Sequence, residues 1–349
     1  MYFNKPIRLI ELFAGIGSQA KALTNLGLNF EHWRVCEFDA HAVRSYNAVH
    51  NTQFVPSDIT KISATDLGIT DTNEFTYLLT YSFPCQDLSC AGRGAGMEKG
   101  SGTRSGLLWE VERLLNECDE LPQVLLMENV PQVHGKKNKE HFDKWIEFLA
   151  SKGYSNYWQD LNAKDYGVPK SRNRCYMVSI LGDHSYKFPT PVKLELTLKD
   201  IVEKEVDEKY YLSNEKLRTI NRWKSLERPL ERVYGKNSIA NTLTTRSGAE
   251  CGSLATYSEQ FEETTNIVPL LETEELSSKI RKLTPKERWK LMGFDDVDVE
   301  KAAKVCSNSR LYKQAGNSIV VDVLMAIFKE LFIVMDSAAR KKWLDDLLK

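Results

Sequence analysis

Apolar and polar positions follow a regular rhythm through the first half of the chain. Strand-like runs occur at Ile7 to Phe13, Trp33 to Phe38, Tyr77 to Tyr81 and Gln123 to Met127. Short runs rich in branched and aromatic residues predict buried strands. Between them, apolar residues recur at helical spacing. The first set is Ala20, Leu23 and Leu26. The second is Leu107, Leu108, Val111, Leu114 and Leu115, in a helix expected from Ser105 to Cys118. The third is Phe142, Trp145, Ile146 and Leu149. Strand and helix thus alternate from Ile7 to Leu149, which predicts an α/β fold with a doubly wound, mostly parallel sheet covered on both faces. Tyr157 to Leu161 and Cys175 to Leu181 predict two more strands.

In such sheets ligands sit beyond the carboxyl ends of the strands, and the chemistry-bearing residues fall there. The first strand runs into Ala14-Gly15-Ile16-Gly17-Ser18-Gln19-Ala20, a glycine-rich turn opening a helix. Gly15 is expected to let the chain turn tightly, and Gly17 to let backbone approach a ligand. Glu37 ends the second strand about 20 residues later, where an acid accepts hydrogen bonds from ribose hydroxyls. This pattern suits a dinucleotide or S-adenosylmethionine equally, since all carry an adenosyl ribose. Phe54-Val55 is a short apolar segment before Asp58-Ile59.

The third strand leads to Pro84-Cys85, then to a loop carrying Gly92, Gly94, Gly96, Gly100 and Gly102. Proline ends the ladder, so Cys85 is a thiol at a strand exit with a flexible segment behind it, a setting for a nucleophile or for a small buried hydrophobe. Glu128 follows Val124-Leu125-Leu126-Met127 into a partly dry region, where a carboxyl's proton affinity rises. Arg172 and Arg174 are two apart, so in extended chain they would project to one side and require an anion between them or carboxylate partners.

From Asp183 the periodicity weakens, and Thr, Ser, Asn and Glu become common through about Glu275. A second, smaller, irregular, partly β domain is expected. Within it Asn241 to Gly248 is rich in short donors and acceptors around Arg246, a composition suited to base edges and to any polar loop. Lys282 to Phe294 predicts a helix capped by Thr284 with Glu287 three residues on. Tyr312 to Ser318 then leads into an apolar helix, Ile319 to Met335, expected to pack on the first domain.

Composition narrows this picture only a little. The net charge is −1, with basic clusters at 136–139, 170–174 and 279–286 that allow phosphate contact on one face. Seven cysteines include no C-x-x-C pair, which argues against a disulfide framework or a zinc site and for a reducing cytoplasm. Lys5, Arg8 and Glu11 interrupt the N-terminal apolar stretch, so it does not predict a signal peptide, and no apolar run reaches membrane-spanning length.

The ordered set FAGIG, FPCQDLS, ENV, RNR and QAGNS resembles the DNA cytosine-5 methyltransferases of bacterial restriction–modification systems, from about Ile7 to Leu181 and from about Arg281 to Phe328. The resemblance implies a cofactor, S-adenosyl-L-methionine, and a target cytosine swung out of double-stranded DNA. It implies that Cys85 attacks carbon 6, that Glu128 engages the ring N3 and exocyclic amine, and that Arg172 and Arg174 stabilise the flipped base. It assigns Phe13, Ala14, Gly15 and Gly17 to the cofactor turn, Glu37 to the ribose, Phe38 to the adenine face, and Asp58 and Ile59 to the adenine edge. Pro84, Leu107, Asn317 and Ser318 fall at further cofactor positions. Gln86 to Gly102 resembles the loop that closes over DNA, with Gln86 and Ser89 as DNA contacts, and Arg246 is the expected base reader.

Two positions depart from the family pattern: Lys170 stands where a glutamine is usual, and Ser18 where a second glycine is usual. The expected organisation is a catalytic and cofactor domain at 1–183, a target-recognition domain at 184–283, a hinge at 284–310, and a C-terminal segment at 311–349 returning to the catalytic domain. The resemblance further implies a monomer acting on DNA, with a restriction endonuclease sharing its site without direct contact. A related tRNA methyltransferase, a nicotinamide-dependent oxidoreductase and a non-enzymatic DNA-binding regulator are the competing readings.

Overall fold

The computed structural model describes residues 5–88, 95–213, 215, 232–241, 256–266 and 280–335. The chain forms two compact units. One comprises Met1–Leu161, Asn173–Thr190 and Val323–Lys349; the other comprises Asn162–Arg172 and Pro191–Asp322.

The first unit is built on a six-stranded sheet. In chain order its elements are β1 (Ile7–Leu12), α1 (Ser18–Asn25), β2 (Phe30–Cys36), α2 (Ala40–His50), α3 (Ala64–Leu67), β3 (Thr76–Tyr81), α4 (Leu108–Glu117), β4 (Val124–Asn129), α5 (Lys139–Ser151), β5 (Tyr154–Asn162) and β6 (Asn173–Leu181). The strand order is β2-β1-β3-β4-β6-β5. β1 pairs in parallel with β2 and β3, and β3 with β4, while β6 runs antiparallel to β4. Every residue of β3 and β4 is buried, without alternation, as strands covered on both faces require. The core behind them is carried by Tyr81, Leu108, Val111, Leu114, Trp145 and Met177.

The short apolar segment Phe54-Val55 is loop; Val55 is exposed, and the Phe54 carbonyl accepts a hydrogen bond from Asn47. Two sequence expectations shift here. β4 continues through Asn129, so Glu128 lies within the ladder, opposite Tyr176, rather than beyond it. The segment holding QAGNS is helical from Asn308 to Asn317, and the apolar helix starts only at Val321. Its C-terminal part belongs to the first unit, where Val323, Leu324, Ile327, Phe328 and Leu331 are buried.

The second unit carries a four-stranded sheet, β10-β8-β7-β9, made of β7 (Arg232–Tyr234), β8 (Thr256–Tyr257), β9 (Thr265–Asn266) and β10 (Arg281–Lys282). Its core gathers Leu198, Tyr234, Ala240, Tyr257, Leu283 and Leu291. The helix at Pro285–Lys290 has the expected reciprocal cap between Thr284 and Glu287. Further helices follow at Asp296–Ala303 and Asn308–Asn317. No helix among the described residues is long and apolar enough to cross a membrane.

Candidate active site

Parallel pairing aligns the carboxyl ends of four strands at one edge of the sheet. Leu12 of β1 is in register with Cys36 of β2 and Tyr81 of β3, and Tyr81 with Met127 of β4. The residues just beyond these positions therefore share that edge: Phe13 to Gly15, Glu37 and Phe38, Pro84 and Cys85, and Glu128. Because β6 runs the other way, its first residues reach the same edge, with Cys175 opposite Asn129.

The glycine turn is locked onto β2 through backbone bonds from Phe13 and Ala14 to the Cys36 carbonyl. Phe13, Gly15 and Gly17 all have positive φ. Glu37 ties the turn to the start of α2: its carboxylate accepts from the amides of Gly15 at 2.9 Å and Asp39 at 2.7 Å. Burial pushes the Glu37 carboxyl up, while amide bonds from Asp39, Gly15 and Phe38 pull the other way. The amides of Gly15 and Asp39 occupy two of the roughly four lone-pair sites of a carboxylate, which leaves room for a ligand hydroxyl.

The two glycines differ. A Cβ on Gly15 would meet nothing within 4 Å, so the turn is open there. A Cβ on Gly17 would collide with His50 Nε2 and lie 2.6 Å from Tyr46 Cε2. Gly17 thus has a packing reason of its own: it lets α2 approach the start of α1. Phe38 is 79% exposed beside this turn, an unusual position for a phenylalanine and one that a flat ring could cover. The Ser57 amide donates to the Glu37 carbonyl, which places Asp58 and buried Ile59 next to it. The Asp58 carboxyl is held low because the amide and hydroxyl of Thr60 both donate to it.

Cys85 is half-buried, packed against the main core. The turn that presents it is held by residues that the sequence reading passed over. Ser105 Oγ donates to the Pro84 carbonyl at 2.6 Å. Asp87 accepts from the amides of Arg104 and Ser105. Asn129 Nδ2 donates to the Phe83 carbonyl at 3.0 Å. Asp87 and Asn129 stand inside the quoted motifs, next to the residues chosen for chemistry, so position within those motifs was the available signal. Gln86 is exposed and accepts from Arg104. Leu107 packs against the core just before α4. Ser89 and Arg246 lie outside the described residues.

Glu128 is nearly buried, and Arg174 Nε lies 3.2 Å from its Oε1. Arg172 has different partners. Its Nη2 donates to the carbonyls of Gly316 and Ser318, and its amide donates to Asn162 Oδ1. The two guanidinium groups thus take different partners: Arg174 the Glu128 carboxylate, the carboxylate pairing that the spacing allowed, and Arg172 two backbone carbonyls. β6 begins at Asn173, so Arg172 precedes the extended stretch and is outside its alternation. Arg172 instead ties down the turn around Asn317 and Ser318 within the second unit. Lys170 is fully buried, with Nζ 2.7 Å from Met292 Sδ.

Comparison with known proteins agrees across the length of the chain. The sequence model of the C-5 cytosine-specific DNA methylases matches residues 7–333. The type II methyltransferase M2.ScrFI of Lactococcus lactis subsp. cremoris is 30% identical, covering 93% of this chain and 99% of that protein. The orphan methyltransferase M.SssI of Spiroplasma monobiae is also 30% identical, covering 94% and 98%. Among solved structures, the Dnmt2 methyltransferase of S. pombe has a TM-score of 0.74 at 21% identity over 92% of this chain and 97% of that one. The EhMeth methyltransferase of Entamoeba histolytica has a TM-score of 0.77 at 18% identity over 95% and 99%. At such identities the structural likeness speaks for the fold alone. Since the family match runs almost from end to end and the relatives align over nearly their whole length, the chain belongs to the C-5 cytosine-specific DNA methylases and is a DNA (cytosine-5-)-methyltransferase.

Proposed function

We propose that this enzyme methylates a flipped-out cytosine within a specific double-stranded DNA sequence through a covalent bond to Cys85. The observation that supports the reading is the common edge: in a chain of this family, the strands leading to the glycine turn, to Cys85 and to Glu128 run in parallel register and end on one side of the sheet. Family membership implies S-adenosyl-L-methionine in general, and that cofactor would supply the electrophilic methyl group. The open Gly15 turn, the carboxylate of Glu37 and the exposed ring of Phe38 fit an adenosyl group, with Phe13, Ala14, Gly17, Asp58, Ile59, Pro84 and Leu107 framing it. Asn317 and Ser318 are assigned to the same ligand from the resemblance.

The thiolate of Cys85 adds to carbon 6 of the cytosine, which makes carbon 5 nucleophilic. Glu128, oriented by Arg174, holds the N3 and amine edge and favours electron density leaving the ring there. Once carbon 5 has taken the methyl group, with S-adenosyl-L-homocysteine as the departing thioether, a base or water removes the carbon 5 proton and the bond between carbon 6 and the Cys85 sulfur breaks, returning Cys85. Arg172 fixes the Gly316–Ser318 turn, and with Arg174 it stabilises the flipped base, as the resemblance implies. The segment 184–283 reads the DNA sequence, with Arg246 as its guanine-edge contact, while Gln86 and Ser89 contact DNA in the loop. The relatives include both a type II and an orphan methyltransferase. A cognate restriction endonuclease sharing the site is the reading adopted, with the methyltransferase acting as a monomer in the cytoplasm.

DNA carrying 5-fluorocytosine at the target tests this directly. With cofactor present, it is expected to form a denaturant-stable adduct, because carbon 5 then lacks a removable proton. Cys85→Ser is expected to abolish the adduct, and an adduct surviving that substitution overturns the assignment. Bisulfite sequencing of plasmid from expressing cells reports the context, and Arg246→Ala is expected to relax it.

A further inference from the structure

Three side chains from three separate segments, none of them assigned to the cytosine chemistry, converge at β5 and β6. His134 follows the short turn Pro131–Val133 after β4, Asp160 lies on β5, and Cys175 lies on β6. His134 Nε2 and Asp160 Oδ1 are 3.0 Å apart, and a ring nitrogen of His134, a carboxylate oxygen of Asp160 and Cys175 Sγ all lie within 4.8 Å of one another. We propose that His134, Asp160 and Cys175 form a binding site for a borderline-soft divalent cation of the Zn²⁺ type.

The donor set selects the ion. One imidazole, one carboxylate and one thiol suit zinc-like metals, whereas Mg²⁺ and Ca²⁺ take oxygen ligands. Zinc bonds of about 2.0–2.3 Å separate tetrahedral ligand atoms by roughly 3.3–3.8 Å. The observed spread therefore closes through small side-chain rotations. Charge closes as well: a thiolate and a carboxylate balance a dication, and the thiol proton leaves to solvent on binding.

The surroundings hold the ligands in place. The His134 ring lies against Trp158, with centroids 4.7 Å apart, and against Phe142 at 6.1 Å. Cys175 is at the buried floor, while His134 and Asp160 keep 24% and 30% of their side chains exposed, giving an ion a path in. Three protein ligands leave a fourth position for water. The sequence separations of these residues match no metal motif; the fold alone brings them together. An ion here would pin the turn after β4 to β5 and β6, one residue along the chain from Arg174.

Co²⁺ titration of the full chain, kept reduced with a phosphine, tests the site. The expected result is a thiolate-to-metal charge-transfer band saturating at one equivalent, displaced by Zn²⁺ and not by Mg²⁺. Cys175→Ser should remove the band, while Cys85→Ser should leave it. His134→Ala and Asp160→Asn should each weaken binding by more than the roughly 10–100-fold that outer-shell changes cost. Both residues are partly exposed, so these variants decide the matter even if Cys175→Ser does not fold. No band, a band that persists in Cys175→Ser or vanishes in Cys85→Ser, or an affinity indifferent to His134 and Asp160 would overturn the proposal.

Discussion

Each unit of the molecule contains a buried glutamate paired with an arginine, and the two pairs are built differently. In the second unit, Arg281 meets Glu287 with both Nη groups, at 2.9 and 2.7 Å, and Glu287 is fully buried. Glu287 also accepts from the amides of Thr284 and Glu203, so the carboxylate joins a strand, a helix start and a loop. In the first unit, Arg174 approaches Glu128 through Nε at 3.2 Å, while its Nη1 donates to the Asn173 carbonyl. Glu128 and Arg174 keep 10% and 13% of their side chains exposed, at the edge where strands end. A bidentate, sealed pair serves architecture. A pair that meets through one guanidinium nitrogen at an accessible edge can be rearranged when a base arrives.

Activity should separate the two most sharply. Glu128→Gln keeps the shape and removes the charge, so methyl transfer is expected to fall by about 10²–10⁴-fold, the usual worth of a positioned acid–base group. Its unfolding midpoint should stay near that of the wild type. Single-turnover methyl transfer and denaturant unfolding on the same preparation check both halves. Glu287→Gln reverses the outcome. It leaves Arg281 buried without its countercharge, and removing one partner of such a pair costs about 3–5 kcal/mol. Chemical denaturation should show that loss.

The same contrast explains what the sequence disclosed. Strand ends were legible because a parallel sheet buries its strands on both faces, so each ends where its apolar run stops. Gly15, Glu37, Cys85 and Glu128 fell on one edge for that reason. The partners of Arg172 and Arg174 were not legible. Where β6 begins depends on Ala163 and Ala240 bonding to the chain around Arg172, which is long-range information. The bonds that fix the Cys85 turn, from Ser105 and Asn129, likewise cross 21 and 46 residues of sequence. Neither hydrophobic period nor motif spacing encodes such contacts. Glu11 looked like a charge interrupting an apolar run, yet in β1 it is fully buried.

Glu11 adds a third kind of buried carboxylate, held by a tyrosine hydroxyl. Tyr46 donates to Oε2, while Oε1 is buried. Burial pushes its pKa from 4.5 up to about 8. The native state therefore holds a proton that the unfolded chain releases. This contribution to stability is fully present below about pH 4.5 and is lost as pH rises through about 8. Glu11→Gln should flatten that slope and make the variant more stable than the wild type at pH 8 by at least about 1 kcal/mol. Unfolding measured between pH 5 and pH 8.5 (about the range of the transition) would show it. An unchanged slope would mean that another group sets the dependence.

The smallest effect probes whether the Glu287 pair acts alone or as part of its cap. Thr284 Oγ1 accepts from the Glu287 amide at 3.1 Å, and the Thr284 amide donates to the Glu287 carboxylate at 2.7 Å. Thr284→Ala removes one half of this box and should cost about 0.5–2 kcal/mol, with Thr284→Ser restoring most of it. Because both residues share one helix start, the loss in a Glu287→Gln background should differ from the loss in the wild type by about 0.5 kcal/mol or more. Additive losses would show that the ion pair holds Arg281 independently of the cap. Coupled losses would show that strand β10 and the helix after it are fastened by one network, with the charge and the cap as two ends of the same carboxylate.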